Sequence, residues 1–186
     1  MPSQPFDRIS DEDKTVKLNI HRGLQFTIKA VSDFGASDCM LRAQMYRPAI
    51  FFAFEFAQKM IKAAIANYTD EKTFNVFYLE ENLNKLSAII AEKIADKNVA
   101  KQLLKVASEL EKISVGTRAD SMCFKSYIKE EAENAESLSH QIFETCIDLL
   151  KAKLVEAFPS KTVNLLGLNA EVKINEKNEV WFYLFE

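Results

Sequence analysis

Apolar residues recur at helical spacing along most of the chain. Val16, Ile20, Leu24, Thr27, Val31 and Phe34 step by three and four, and Ile28 widens the stripe. Ser10 and Asp13 have capping-box spacing, and Asp11, Glu12 and Asp13 suit the positive end of a helix dipole, so a helix is predicted from Ser10 with Gly35 as its C-terminal stop. Gly23 within this run is either a close packing point or a break. Ser37 and Asp38 predict a second helix through Met40, Leu41 and Met45, with Pro48 kinking it or opening the next one. Ala49 to Tyr68 is the most apolar segment. Glu55, Gln58, Lys59 and Lys62, at i, i+3, i+4 and i+7, form its one polar stripe. This predicts a central, almost surrounded helix with Phe52, Phe54 and Phe56 in the core. Phe51, four residues before Glu55, falls on the polar stripe and is either covered by another element or offered to a partner.

Asn67 to Tyr78 reads as a turn followed by an extended piece around Phe74, Val76 and Tyr78. Leu79, Leu83, Leu86, Ile90 and Ile94, then Val99, Leu103, Val106, Leu110 and Ile113, alternate four and three on either side of Asp96-Lys97-Asn98. That pattern predicts an antiparallel helical hairpin ending at Gly116, with Thr117 and Asp120 restarting a helix. Ile128, Ala132, Ala135, Ser139, Ile142, Cys146 and Leu149 hold the next stripe, on one long helix or on two broken near Asn134, up to Pro159. The tail changes to short β-branched and aromatic runs. Thr162 to Leu166, Ala170 to Ile174 and Glu179 to Phe185 predict a C-terminal β-hairpin or three-stranded meander. In its last strand Val180, Phe182 and Leu184 alternate with Trp181, Tyr183 and Phe185, so both faces need cover.

The fold class expected is therefore mainly α (α or α+β): a bundle of five to seven helices with a small C-terminal antiparallel β element. Residues 1–9 read as a flexible N-terminal arm and residues 10–186 as one globular domain, helical over 10–158 and β over 161–186.

Composition narrows the functional classes. The 186 residues carry 24 Lys and Arg against 27 Asp and Glu, a net charge of -3, so a nucleic-acid-binding surface is not expected. With 4 glycines, neither a G-x-G-x-x-G turn nor a phosphate-cradling G-x-x-x-x-G-K-[ST] loop can be written. The 3 cysteines, Cys39, Cys123 and Cys146, form no close pair, which suits a reducing, cytoplasmic setting. No apolar run approaches membrane-span length.

Candidate chemistry is thin. The helix around His140 resembles the phosphoacceptor helix of two-component histidine kinases, but Gln141, Phe143 and Thr145 or Cys146 stand where that family has an acid, a base and a proline. Glu130, Glu133 and Glu136, with Glu144 and Asp148 downstream, loosely resemble the Mg²⁺ motif of all-helical nucleotide pyrophosphatases, with the downstream spacing one residue too long. Lys129 and Lys151 beside them favour a solvated charged face. Cys39, next to Asp38 at an expected helix N-terminus, is the one cysteine placed for activation. No complete set of acid, base and electrophile can be assembled, and no cofactor or metal is expected.

The 14 phenylalanines are the compositional excess. Two readings follow. In the first, the chain is a non-catalytic interaction or regulatory protein, self-association included, acting through exposed aromatics at Phe51, Trp181, Tyr183 and Phe185. In the second, it is a sensor or carrier holding a small apolar ligand in a Phe-lined pocket beside the central helix.

Overall fold

The computed structural model describes residues 11–69, 71–117, 126–157, 162–165, 170–174 and 180–184. The expected arm, the helix restart at Thr117 and Asp120, Pro159 and Phe185 touch or lie in segments outside the described residues. The described chain is mainly helical: α1 (Asp11–Arg42), α2 (Tyr46–Tyr68), α3 (Glu71–Tyr78), α4 (Leu83–Ala91), α5 (Lys97–Ser114) and α6 (Lys129–Ala157), followed by β1 (Thr162–Leu165), β2 (Ala170–Ile174) and β3 (Val180–Leu184).

α2 is the centre. It packs chiefly on α1 and α6 and also meets α3, α4 and α5. Ile50, Phe54, Phe56, Met60, Ile61 and Ile65 are all buried. Even its polar stripe is largely covered: Gln58 and Lys62 are buried, and the Gln58 amide donates to the Glu81 carbonyl at 2.9 Å. Lys59 is ion-paired to Asp33 of α1 and lies 3.4 Å from Glu55. Burial holds the Lys62 ammonium below the usual lysine range, with Glu55 opposing the shift. Phe52, expected in the core, is only half-buried and meets half-buried Phe51 edge-on at 5.4 Å, one to two turns from the open N-terminus of α2.

The first helix corrects the sequence reading. α1 runs through Gly35 and absorbs the expected second helix. Gly35 is exposed, and a Cβ built there meets nothing within 4 Å, so it costs helix propensity without stopping the helix. The stop comes at Gln44, whose φ is 59°. The Met45 amide donates to the Met40 carbonyl at 2.9 Å and the Gln44 amide to the Leu41 carbonyl at 3.0 Å, the paired bonds of a Schellman motif. Glutamine occupies the left-handed position where glycine is usual, which hid the boundary. Ser37 caps nothing; its hydroxyl donates to the Ala49 carbonyl at 3.0 Å and ties α1 to the start of α2. Pro48 sits in the first turn of α2, where its missing N–H costs nothing.

Gly23 is a packing point. A Cβ there would lie 2.1 Å from the Asn67 amide nitrogen and 3.0 Å from the Ala63 carbonyl oxygen.

The segment expected to be extended around Phe74 is α3. Phe74, Phe77 and Tyr78 follow helical spacing, and of the three only Phe74 is buried. α4 and α5 form the expected antiparallel hairpin, although its seam starts at Leu83, because Leu79 and Val99 are exposed. The Asn82 side chain caps α4 by accepting from the Lys85 amide, and Asp96 caps α5. Buried Glu111 of α5 accepts from the Leu83 amide at 2.7 Å, locking the two helices together. α6 is one helix through exposed Asn134, with Ala132, Ala135, Ser139, Ile142, Cys146, Leu150 and Leu154 buried; Ile128 stands exposed before it. The strands pair antiparallel in the order β1-β2-β3, with Val172 opposite Phe182 and Lys173 opposite Trp181. No described helix is long and apolar enough to cross a membrane.

The two glycines of α1 make opposite predictions. Gly35→Ala should stabilise the fold by about 0.5–1 kcal/mol, and Gly23→Ala should destabilise it by roughly 1–3 kcal/mol. Urea denaturation of both variants checks this; equal effects would contradict the close approach at Asn67.

Candidate functional site, an aromatic groove between α1 and α3

The groups that could do chemistry lie on α1 and α6. His21 lies on α1, 3.2 Å from the Gln25 amide nitrogen, and His140 lies on α6 with its ring edge-on to Phe34 at 5.2 Å and Phe143 at 5.8 Å. Cys39 sits in the last turn of α1, at the negative end of the helix dipole, so the helix-N-terminal setting expected for it does not exist. Cys146 is buried on α6, and burial pushes its thiol up to about 12. Cys123 lies outside the described residues.

The acids do not converge. Glu133 pairs with Lys129 at 3.1 Å and Asp148 with Lys151 at 3.7 Å along α6. Glu136 is turned toward α1, where burial first and the charge of Asp38 second raise its carboxyl above the usual range. Among the described residues no group of three His, Cys, Asp or Glu side chains could hold a metal ion.

The phenylalanines of the central helix fill space instead of lining it. Phe56 stacks on Phe143 at 5.6 Å and meets Phe34 at 5.2 Å. An open, aromatic-lined space occurs elsewhere, between α1 and α3. This groove has a volume of about 270 Å³ and is lined by Arg22, Gln25, Phe26, Lys29, Phe74, Asn75 and Tyr78.

Its construction follows from helix geometry. On α1, Arg22, Gln25 and Lys29 lie at i, i+3 and i+7, with Phe26 one turn beyond Arg22, so all four project on one side. On α3, Phe74 and Tyr78 lie at i and i+4. The three rings meet edge-on in a triangle, Phe26 to Phe74 at 5.8 Å, Phe26 to Tyr78 at 6.0 Å and Phe74 to Tyr78 at 6.1 Å. The Arg22 guanidinium lies 6.0 Å from the Phe74 ring centroid, at the edge of cation–π range. Both charged lining residues are cations in a chain of net charge -3. The arrangement offers an apolar floor, two amide side chains and a positive rim.

A second open space, about 450 Å³, lies between the α1–α2 turn and the start of α6, lined by Leu41, Arg42, Gln44, Tyr46, Lys129 and Glu133. In it Arg42 pairs with Asp38 at 2.8 Å and Lys129 with Glu133.

The two most exposed large apolar side chains among the described residues adjoin the first groove. Val76 is 68% and Leu79 80% exposed, and Tyr78, itself a lining residue, is 49% exposed. Leu79 directly follows the last residue of α3, so exposed apolar side chains extend from Tyr78 of the groove past the end of the helix.

The contact residues expected from sequence do not gather here. Phe51 is half-buried on α2. Trp181 and Tyr183 lie on β3, in register with Lys173 and Glu171, and Phe185 is outside the described residues. Arg22, Lys29 and Phe26 carried a signal in the sequence, the helical spacing on α1, but their partners on α3 were read as extended.

If the thiols act as placed, Cys39 alone should react with Ellman's reagent in the native Cys123→Ser protein, and Cys146 only once the chain is unfolded. Fast native labelling of Cys146 would contradict its burial and thiol state.

Residues 25–151, well over half of the chain and spanning the later part of α1 through most of α6, match the family model of the HEPN domain. Among curated proteins and among solved structures nothing matches the chain.

Proposed function

The chain belongs to the HEPN domain family, and from that premise we propose that it is a non-catalytic interaction or regulatory protein whose contact surface is the exposed apolar side of α3. One observation carries this reading: Val76 and Tyr78 on α3 and Leu79 directly after it stand exposed together, left uncovered by the rest of the bundle. Apolar side chains grouped in this way mark contact sites. Two of the three lie 68% and 80% exposed, so a partner covering them gains a Val and a Leu, each worth about 1.5–3 kcal/mol when fully buried.

Family membership widens the list of partners. HEPN domains often dimerise, so a second copy is one occupant of this surface. They are also often nuclease or nucleotide-related, which returns nucleic acid to a list from which net charge had removed it. The non-catalytic reading rests on the sequence, in which no complete set of acid, base and electrophile can be assembled. The residues expected from sequence, Phe51, Trp181, Tyr183 and Phe185, are kept as further proposed contact residues. The ligand-carrier alternative, expected from sequence beside the central helix, would instead use the groove between α1 and α3.

The test is site-specific photocrosslinking in cells that express the protein. A crosslinker at Leu79 or Val76 should give discrete higher-mass adducts, and one at exposed Lys101 of α5 should give none. An adduct of twice the chain mass would identify a second copy. Absence of adducts at both α3 positions would overturn the reading.

A further inference from the structure

We infer that the groove between α1 and α3 receives an acidic, aromatic or aliphatic peptide segment of a partner protein. This deepens the contact reading and rests on it. Charge complementarity on an apolar floor points to it. Phe26, Phe74 and Tyr78 close a triangle of rings within 6.1 Å of one another, and among the described residues the charged side chains lining the groove are Arg22 and Lys29. Lys29 is exposed on α1 and makes no ion pair among the described residues. A cation held beside rings, in a chain with more acids than bases, selects an anion joined to an apolar group.

Size and shape favour a peptide over a small molecule. Enclosed small-molecule sites span roughly 300–1,000 Å³ and bury most of the ligand. Here the volume is about 270 Å³ and the groove is open. That space takes one or two side chains, and the apolar surface continues outward over Leu79, as an extended occupant requires. A nucleic-acid strand needs a track of cations matched to successive phosphates, and the groove supplies two. The Gln25 and Asn75 amides at its edge can pair with a peptide backbone, as extended-peptide sites do.

The experiment is selection of a display library of random nine-residue peptides on the intact protein, followed by fluorescence anisotropy with the enriched peptides. The enriched sequences should carry Asp or Glu within two positions of Phe, Tyr, Trp or Leu. Lys29→Glu and Tyr78→Ala should each weaken their binding at least tenfold, and Lys101→Glu, on exposed α5, should leave it unchanged. Thermal melting of Lys29→Glu should match the parent, since the side chain is exposed. Failure to enrich acidic peptides, or binding indifferent to Lys29→Glu, would overturn the inference. So would a labelled oligouridine RNA that binds with the same Lys29 dependence, or a change in oligomeric mass on Lys29→Glu, which would assign the groove to nucleic acid or to a second copy. Loss of peptide selection with Leu79 crosslinking intact removes this inference alone; loss of the crosslinks removes the contact reading beneath it.

Discussion

The burial of α2 is the constraint on which the architecture depends. A helix apolar on nearly every side cannot face water, and no single neighbour can cover it. Each of its fully buried large side chains, among them Ile50, Phe54, Met60, Ile61 and Ile65, contributes about 1.5–3 kcal/mol only if its surface is closed off. α1 and α6 supply most of that cover, and the α4–α5 hairpin supplies more. The polar stripe then has to be satisfied internally. Lys59 with Asp33, and Gln58 with the Glu81 carbonyl, do so while fixing α1 and the α3–α4 linker against the central helix.

The same constraint explains why α3 is available for contact. With the flanks of α2 taken by larger elements, the short helix after it is anchored through buried Phe74, which meets Phe26, and by its contact with α2. Its other apolar side chains stay outside. The close approach of Gly23 to Asn67 brings the first half of α1 against the end of α2, and so places Arg22 and Phe26 opposite α3. A groove with a ring floor and a cationic rim results from packing that serves the core.

Much of this was legible in the sequence where periodicity was long. The central helix, the α4–α5 hairpin and the α6 stripe follow from apolar spacing sustained over several turns, because burial on one face enforces it. Boundaries were read less well, since local signals compete. Gly35 looked like a helix stop because glycine favours left-handed backbone, yet the hydrogen bonds and burial of Ser37 carry α1 onward to Gln44, a residue with no stop signal. Phe74, Val76 and Tyr78 alternate in sequence like a strand. Eight residues are too few for period 2 and period 3.6 to be told apart. That misreading hid the groove, since Phe74, Asn75 and Tyr78 of its lining belong to α3. Leu79 fits the heptad ahead of Leu83 but lies beyond the Asn82 cap, and so falls outside the seam.

The central claim is that α2 is held by the whole bundle while α3 is held locally, and native-state hydrogen exchange reads both at once. Amides of α2 from Phe54 to Ile65 should exchange only through global unfolding, with the largest protection in the chain. Those of α3 from Phe74 to Tyr78 should exchange through local opening, with protection orders of magnitude lower. Equal protection of α3 and α2, or exchange of the α2 amides through a local opening that leaves α4 and α5 protected, would contradict the account.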